Sequence, residues 1–416
     1  MNKLNMILAA FICFSGISIS SFAQTDSLLP AREMTVRAGL PNFYKKLKAG
    51  KPVKIAFLGG SITRAGNGYR DQLLKSIREQ NPSNTITEIM AAVSGTGSDF
   101  GACRVDDHVI RHHPDLLFVE FAVNDNKMLM KLVRETMEGI VRKTWKANAA
   151  TDICFIYTFS SENLSTLQKG LFPPSVSAME AVAGHYGIPS IHMGLTVVDE
   201  ISKGRMLIMG KKDETDSRPL FSYDGVHPLP ETGHRVYTSV LLKNLGRLAT
   251  SGKAGKHRLR IPLEAKNWSD AGMLSLGKNV QFSGHWATTD SVTKGKEYYS
   301  LLPQVYVTND TNAVIIATFN GTRFGMADIM GPGTAAVEIT IDNQPPKIID
   351  RFDAFSTYYR LNFFIIPGLS PGKHTAKIRL VKGRLNKAGI LKTRNNNIKD
   401  WSPYKNEVLY AGALLY

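Results

Sequence analysis

The chain has 416 residues, with 51 Lys and Arg against 35 Asp and Glu, a formal net charge of +16 and a pI near 9.6. That length accommodates two or three domains, and the charge would draw the protein toward anionic surfaces or polymers. Three cysteines in a chain this size exclude a disulfide scaffold, and the longest basic stretch, Lys382 to Arg394, has no interleaved aromatics or known nucleic-acid motif.

The N-terminus carries Lys3, an apolar stretch from Met6 to Ile19, and Ser21-Phe-Ala23 followed by Gln24. This pattern predicts a cleavable signal peptide over residues 1–23, too short to span a bilayer and ended by small residues where a peptidase needs them. Cys13 follows Ile12, where lipoprotein processing would want a small residue, so the expectation is a soluble exported protein, periplasmic or secreted. No later segment reaches eighteen uninterrupted apolar residues, which predicts no transmembrane segment. Cys103 and Cys154 would remain after cleavage; export permits a bridge between them, but unpaired thiols are the expectation.

From Val53 to about Leu245 two patterns alternate. Apolar runs at Val53 to Leu58, Ile86 to Val93, Leu116 to Val123, Ile153 to Phe159 and Ile188 to His192 read as buried strands. Between and after them lie amphipathic segments of helical length: Tyr69 to Glu79, Met128 to Lys146, Ser175 to Tyr186 and Pro230 to Leu245. Strands alternating with helices imply an α/β domain, a parallel sheet covered on both faces with its sites at the carboxyl ends of the strands. The boundaries predicted are 24–250 for this domain, with a core of about 50–250.

After Leu248 the style changes. Thr250 to His257 is polar and glycine-containing, suiting a linker. Beyond it come short runs divided by turn residues, at Gln304 to Thr308, Val314 to Phe319, Ala336 to Ile341, Tyr359 to Ile366, His374 to Val381 and Val408 to Leu415. Asp342-Asn-Gln-Pro-Pro and Pro371-Gly-Lys supply turn chemistry between them. An all-β sandwich over 257–416 is the expectation.

Four short blocks carry the chemistry: GGSIT around Ser61, VSGTGS around Gly95, FAVND around Asn124, and SYDGVHP with Asp224 three residues before His227. Ser61 sits at a tight turn after a buried strand, where a hydroxyl can act as a nucleophile. Asp224 and His227 offer an imidazole with a carboxylate to orient it, which completes the minimal set for activating a serine. The glycine-rich loop and Asn124 can donate a backbone N–H and a side-chain amide to an oxyanion. Each block alone has a plainer reading: Ser61 as a helix N-cap, Asn124-Asp125 as a turn, Asp224 to Pro228 as a loop. Their occurrence together, in order and after strands, favours the chemical reading.

Other motifs fail on spacing. A nucleophile elbow needs glycine two residues after the serine, where Thr63 stands. The run from Gly95 to Gly101 places its third glycine one residue late for a dinucleotide fingerprint and lacks an acidic ribose partner. His112, His113 and Asp115 lack metal-binding spacing and read as a solvated helix end.

The four blocks resemble the SGNH (GDSL-like) hydrolase family across residues 50 to 250. The resemblance implies a flavodoxin-like three-layer fold and a serine-esterase mechanism that needs no cofactor. It implies Ser61 as nucleophile, His227 as base, Asp224 as its partner, and an oxyanion hole from Ser61, Gly95 and Asn124. Gly60 replaces the acidic residue usual before the serine, and Gly97 is a second candidate for the glycine donor. The β-segment is similar, more weakly, to jelly-roll modules of carbohydrate esterases. An acylated oligo- or polysaccharide, which the net positive charge allows to be acidic, is therefore the expected substrate, with O-acetyl the expected ester and no nucleic-acid partner. A lipase or lysophospholipase and an acyltransferase would use the same residues, and a carbohydrate-binding protein with an inert hydrolase half is a further alternative. The mixed, charged stretch from Ser202 to Pro219 argues against an apolar acyl groove.

Overall fold

The structure is a computed structural model that describes residues 26–211, 216–289 and 301–416. The expected signal peptide lies outside the described residues. Two bodies follow one another, an α/β domain and an antiparallel β-domain.

The first domain is built on a six-stranded sheet. Its strands are β1 (Met34–Thr35), β2 (Val53–Gly59), β3 (Ile86–Ala92), β4 (Leu116–Glu120), β5 (Asp152–Tyr157) and β6 (Ser190–His192), in the spatial order β1-β6-β5-β4-β2-β3. All pairs are parallel except β1 with β6. Strands β4 and β5 are buried along their whole length, as a sheet covered on both faces requires. The chain order reverses between β2 and β4, and a doubly wound sheet opens its binding crevice at such a reversal. Ser61 follows β2 and Asn124 follows β4, so both flank that point.

The helices are α1 (Pro41–Lys48), α2 (Ser61–Arg64), α3 (Tyr69–Gln80), α4 (Ser98–His108), α5 (Met130–Ala147), α6 (Leu164–Gln168), α7 (Pro174–Tyr186), α8 (Gly194–Ser202) and, after the short pair β7 (Leu207–Met209) and β8 (Leu220–Ser222), α9 (Gly233–Leu248). Helices α4, α5 and α7 form one packed layer and α3, α9 and α8 the other. Helix α5 shows why such segments cover a sheet: Val133, Met137, Ile140, Val141 and Thr144 recur at three- and four-residue spacing and are buried. Helix α7 starts at Pro174, where the missing N–H costs nothing, and stops at Gly187 in the left-handed region.

Among the described residues, the second domain is one antiparallel sheet of nine strands. These are β9 (Met273–Ser275), β10 (Val280–Ser283), β11 (Ala287–Thr289), β12 (Val305–Thr308), β13 (Val314–Met330), β14 (Ala336–Ile341), β15 (Lys347–Asp350), β16 (Arg360–Val381) and β17 (Leu409–Leu415), with a small helix α10 (Lys387–Lys392). Strand β13 is far longer than its apolar run suggests. It pairs with β10 through its first half, with β17 through its second, and with β16 throughout, so it runs through both parts of the sheet. Gly321 pairs with Gly372 but Arg323 pairs with Pro367, so residues 368–371 loop out of β16 as a bulge. That bulge is the Pro-Gly turn seen in the sequence, and it joins two runs that read separately.

The two domains share an apolar core. Ala327, Ile329, Leu361, Tyr410 and Leu415 of the β-domain belong to the same buried cluster as the α/β core. Phe100 of α4 and Phe363 of β16 stack at 4.8 Å. The segment read as a linker is fastened down: His257 stacks on Trp145 at 4.7 Å, and its Nε2 lies 2.8 Å from Asp152. Beyond it, the N–H groups of Leu263 and Glu264 donate to Glu138, and Trp268 lies against Gly139 of α5. Cys103 and Cys154 are both buried and unpaired. Burial pushes the Cys103 thiol up to about 12.

Candidate active site

Four loops bring the sequence blocks together. Ser61 opens α2 immediately after β2, and its Oγ lies 2.8 Å from His227 Nε2. His227 Nδ1 lies 2.7 Å from Asp224 Oδ2. Both residues sit in the loop after β8, where Asp224 Oδ1 accepts the N–H groups of Val226 and His227 and the Ser222 hydroxyl. Partial burial raises the Asp224 carboxyl, but the hydrogen bonds from His227, Val226 and Ser222 outweigh it and hold the group well below the usual carboxylate range. An ionised Asp224 can only accept, so Nδ1 of His227 must carry the proton. In the neutral imidazole Nε2 is then the acceptor, and the Ser61 hydroxyl donates to it.

Gly95 and Asn124 lie on the same cleft as Ser61 and His227. Gly95 is exposed, with φ +71°, a conformation that disfavours side chains. Gly97 is buried at the start of α4 against Asp125 and does not line the cleft. Gly60 has a different reason to be glycine: a Cβ there would collide with the Asn124 amide. The missing acidic residue before Ser61 therefore matches the close approach of Asn124. His112 stays outside this group, exposed at the end of a short 3-10 turn that follows α4.

Two buried carboxyls that sequence reasoning missed support the cleft from below. Glu120, the last residue of β4, accepts from Thr63 (2.8 Å), Thr158 (2.6 Å) and the backbone N–H groups of Gly60 and Ala122. Burial raises its pKa and those hydrogen bonds oppose the rise. Asp125 accepts the Ser98 N–H at 3.0 Å, tying the Asn124 loop to α4, while its second oxygen has no partner. Burial pushes Asp125 up to about 8, so it is largely protonated at neutral pH. In the sequence Glu120 lies inside the apolar run Leu116 to Val123 and Asp125 two residues after it, so they read as an interruption of a strand and as part of a turn.

The cleft holds about 630 Å³. One wall is Ser61, Gly95, Asn124 and His227, and the other belongs to the β-domain, with Asp353, Phe355, Tyr358 and Arg360. Among the described residues no cluster of His, Cys, Asp and Glu is arranged to hold a metal ion. No helix among them is long and apolar enough to cross a membrane.

No protein-family model and no curated protein sequence matches the chain. Among solved structures, a two-domain esterase active on acetylated mannans superposes with a TM-score of 0.71 at 19% identity, covering 94% of this chain and 97% of that one. The same kind of esterase co-crystallised with mannopentaose gives 0.70 at 20% identity, covering 92% and 96%. The chain has this two-domain esterase fold. The likeness runs through both domains, so the α/β body with the antiparallel β-body is one shared architecture and not an accidental join. The expected α/β body followed by a β-body is therefore the architecture found.

Proposed function

We propose that the protein is an exported serine esterase that hydrolyses O-acyl, chiefly O-acetyl, esters on carbohydrate. His227 Nε2 takes the Ser61 proton as Oγ attacks the ester carbonyl carbon. The carbonyl electron pair moves onto oxygen, where the N–H groups of Ser61 and Gly95 and the amide of Asn124 receive it. Collapse expels the sugar alkoxide, which takes the proton from the His227 imidazolium and leaves acyl-Ser61. Water then gives a proton to His227 and attacks the acyl carbon, and a second collapse releases the acid and restores the Ser61 hydroxyl. Asp224 keeps the imidazole in the required tautomer throughout.

The observation that carries this reading is the unbroken chain Ser61 Oγ, His227 Nε2, His227 Nδ1, Asp224 Oδ2 facing an open cleft. Its carbohydrate side is supported by the fold shared with an esterase active on acetylated mannans. The N-terminal pattern supports export. Acetate release from acetylated mannan, xylan and pectin tests the proposal. The wild-type chain should release acetate from at least one polymer and Ser61→Ala from none; equal release by both proteins would refute it.

A further inference from the structure

We propose that the cavity between the edge strand β3 and the end of α4 is a binding site for a small oxyanion, a phosphate or a carboxylate, held by His108 and Arg111 over the buried Arg104. The site lies beside the catalytic cleft and stands whether or not Ser61 is a nucleophile.

The cavity holds about 320 Å³ and is lined by residues 88–93 along and just after β3, by Arg104, Asp107 and His108 of α4, and by Arg111 and His112 of the 3-10 turn that follows. That volume takes an oxyanion together with several waters, each of which needs about 30 Å³. Its floor is a guanidinium without a counter-ion. Arg104 is 0% exposed, and a buried charge is stable only when it is paired. Its Nη1 donates to the Ala91 carbonyl and its Nη2 to the Gly59 carbonyl at 3.2 Å, but its Nε–H has no acceptor. Burial, with no carboxylate pairing among the described residues, presses the guanidinium down to about 9.

His108, 8% exposed, repeats the pattern. A guanidinium can only donate, so His108 Nδ1, 3.5 Å from Arg104 Nη1, accepts, and Nε2 must carry the ring proton. That second donor is also buried without an acceptor. Burial, and then the charges of Arg104, Arg111 and His112, depress the imidazole to about 2, so it stays neutral in this tautomer. Two unfilled donors beside an uncompensated cation call for an anionic acceptor; a water could fill the donors but would leave the charge. The carboxylates on the cavity do not supply it: Glu88 is committed to Arg70, and Asp107 pairs with neither Arg104 nor Arg111. The carbonyl end of α4 lends only about half a unit of negative charge and fills neither donor. Arg111 stands exposed at the rim, where a phosphate or carboxylate would recruit its guanidinium.

The test follows the His108 ring in the full chain labelled with 15N-histidine, its signal identified by its loss in His108→Gln. Inorganic phosphate and acetate are titrated separately at neutral pH and fixed ionic strength. The His108 signal should move along a saturating curve, and Arg111→Gln, which changes an exposed side chain and spares the buried ones, should raise the half-saturating concentration about 3- to 10-fold. Saturation by phosphate alone assigns a phosphoryl ligand, by acetate alone a carboxylate, and by both a site for small oxyanions in general. A signal that stays still or drifts without saturating in both titrations, or one that saturates at the same concentration in Arg111→Gln, would overturn the site.

Discussion

Asn124 lies so close to Gly60 that the two positions form one device, and its test is a pair of substitutions. Removing one side-chain donor from an oxyanion site typically costs about 10²- to 10³-fold in kcat, so Asn124→Ala should fall in that range with little change in KM. Gly60→Asp would displace the Asn124 amide and should cause a loss of similar size. A Gly60→Asp chain of full activity would show that Asn124 is a turn residue only. Asp125 gives a different prediction. Its folded pKa of about 8 lies above the ordinary carboxylate value, so the folded state binds the extra proton between about pH 4 and 8. Stability should therefore be greatest on the acid side and decline as pH rises through that window, and Asp125→Asn should flatten the decline. Unfolding midpoints at pH 5 and pH 8 check it, and an unchanged slope in the variant would contradict the assignment. At this scale Ser61, Gly95, Asn124, Asp224 and His227 were legible because each stands in a short polar interruption after or between apolar runs. Glu120 and Asp125 were not, because burial with hydrogen bonds leaves no mark in a sequence.

The reversal between β2 and β4 places a serine turn beside an asparagine turn, and Glu120 stitches the two together. Its oxygens accept from Thr63 and from Gly60 on the β2 side and from Thr158 after β5. Glu120→Gln puts an NH2 where these donors need an acceptor. The expected cost is about 1 to 3 kcal/mol of stability, as for a buried donor left unpaired, with kcat lowered because the Gly60-Ser61 turn loses its anchor. Denaturant midpoints and kcat on one preparation check it; a variant as stable and as active as the wild type would remove Glu120 from this role. The strands β2 to β6 and helices α3, α5, α7 and α9 were readable to within a few residues, since burial on both faces leaves continuous apolar runs in the strands and burial of one face leaves the 3.6 period in the helices. Strand β13 was not. Its second half, Asn320–Met330, mixes Gly, Arg and Asp with apolar residues because it crosses from one set of partners to another, so no single period survives.

Across the whole molecule the two domains share one buried core. The stack of Phe100 on Phe363 ties the β-domain to α4, while the ion pair of Arg323 with Asp270 and the placement of Arg323 over Trp268 at 4.5 Å tie it to its leading segment, whose Trp268 lies against Gly139 of α5. Mutual pairing of Gly272 with Tyr416 fastens the end of the chain to the same seam. A chain cut after Ser251 would uncover Trp145, Phe100 and the α5 face, so it should aggregate, while the full chain should unfold in one calorimetric transition. A soluble truncated chain with full activity on 4-nitrophenyl acetate would contradict that coupling. Composition did mark where the style of the chain changes. It could not show that the change falls inside a shared core, because contacts between Phe100 and Phe363 join positions far apart in sequence.

The central claim is that Ser61 reacts, and covalent labelling reads it directly. A fluorophosphonate added to the full chain should increase the intact mass by one adduct, mapped by peptide analysis to Ser61, and His227→Ala should slow the labelling sharply. Labelling of a different serine, or equal labelling of the Ser61→Ala chain, would contradict the account.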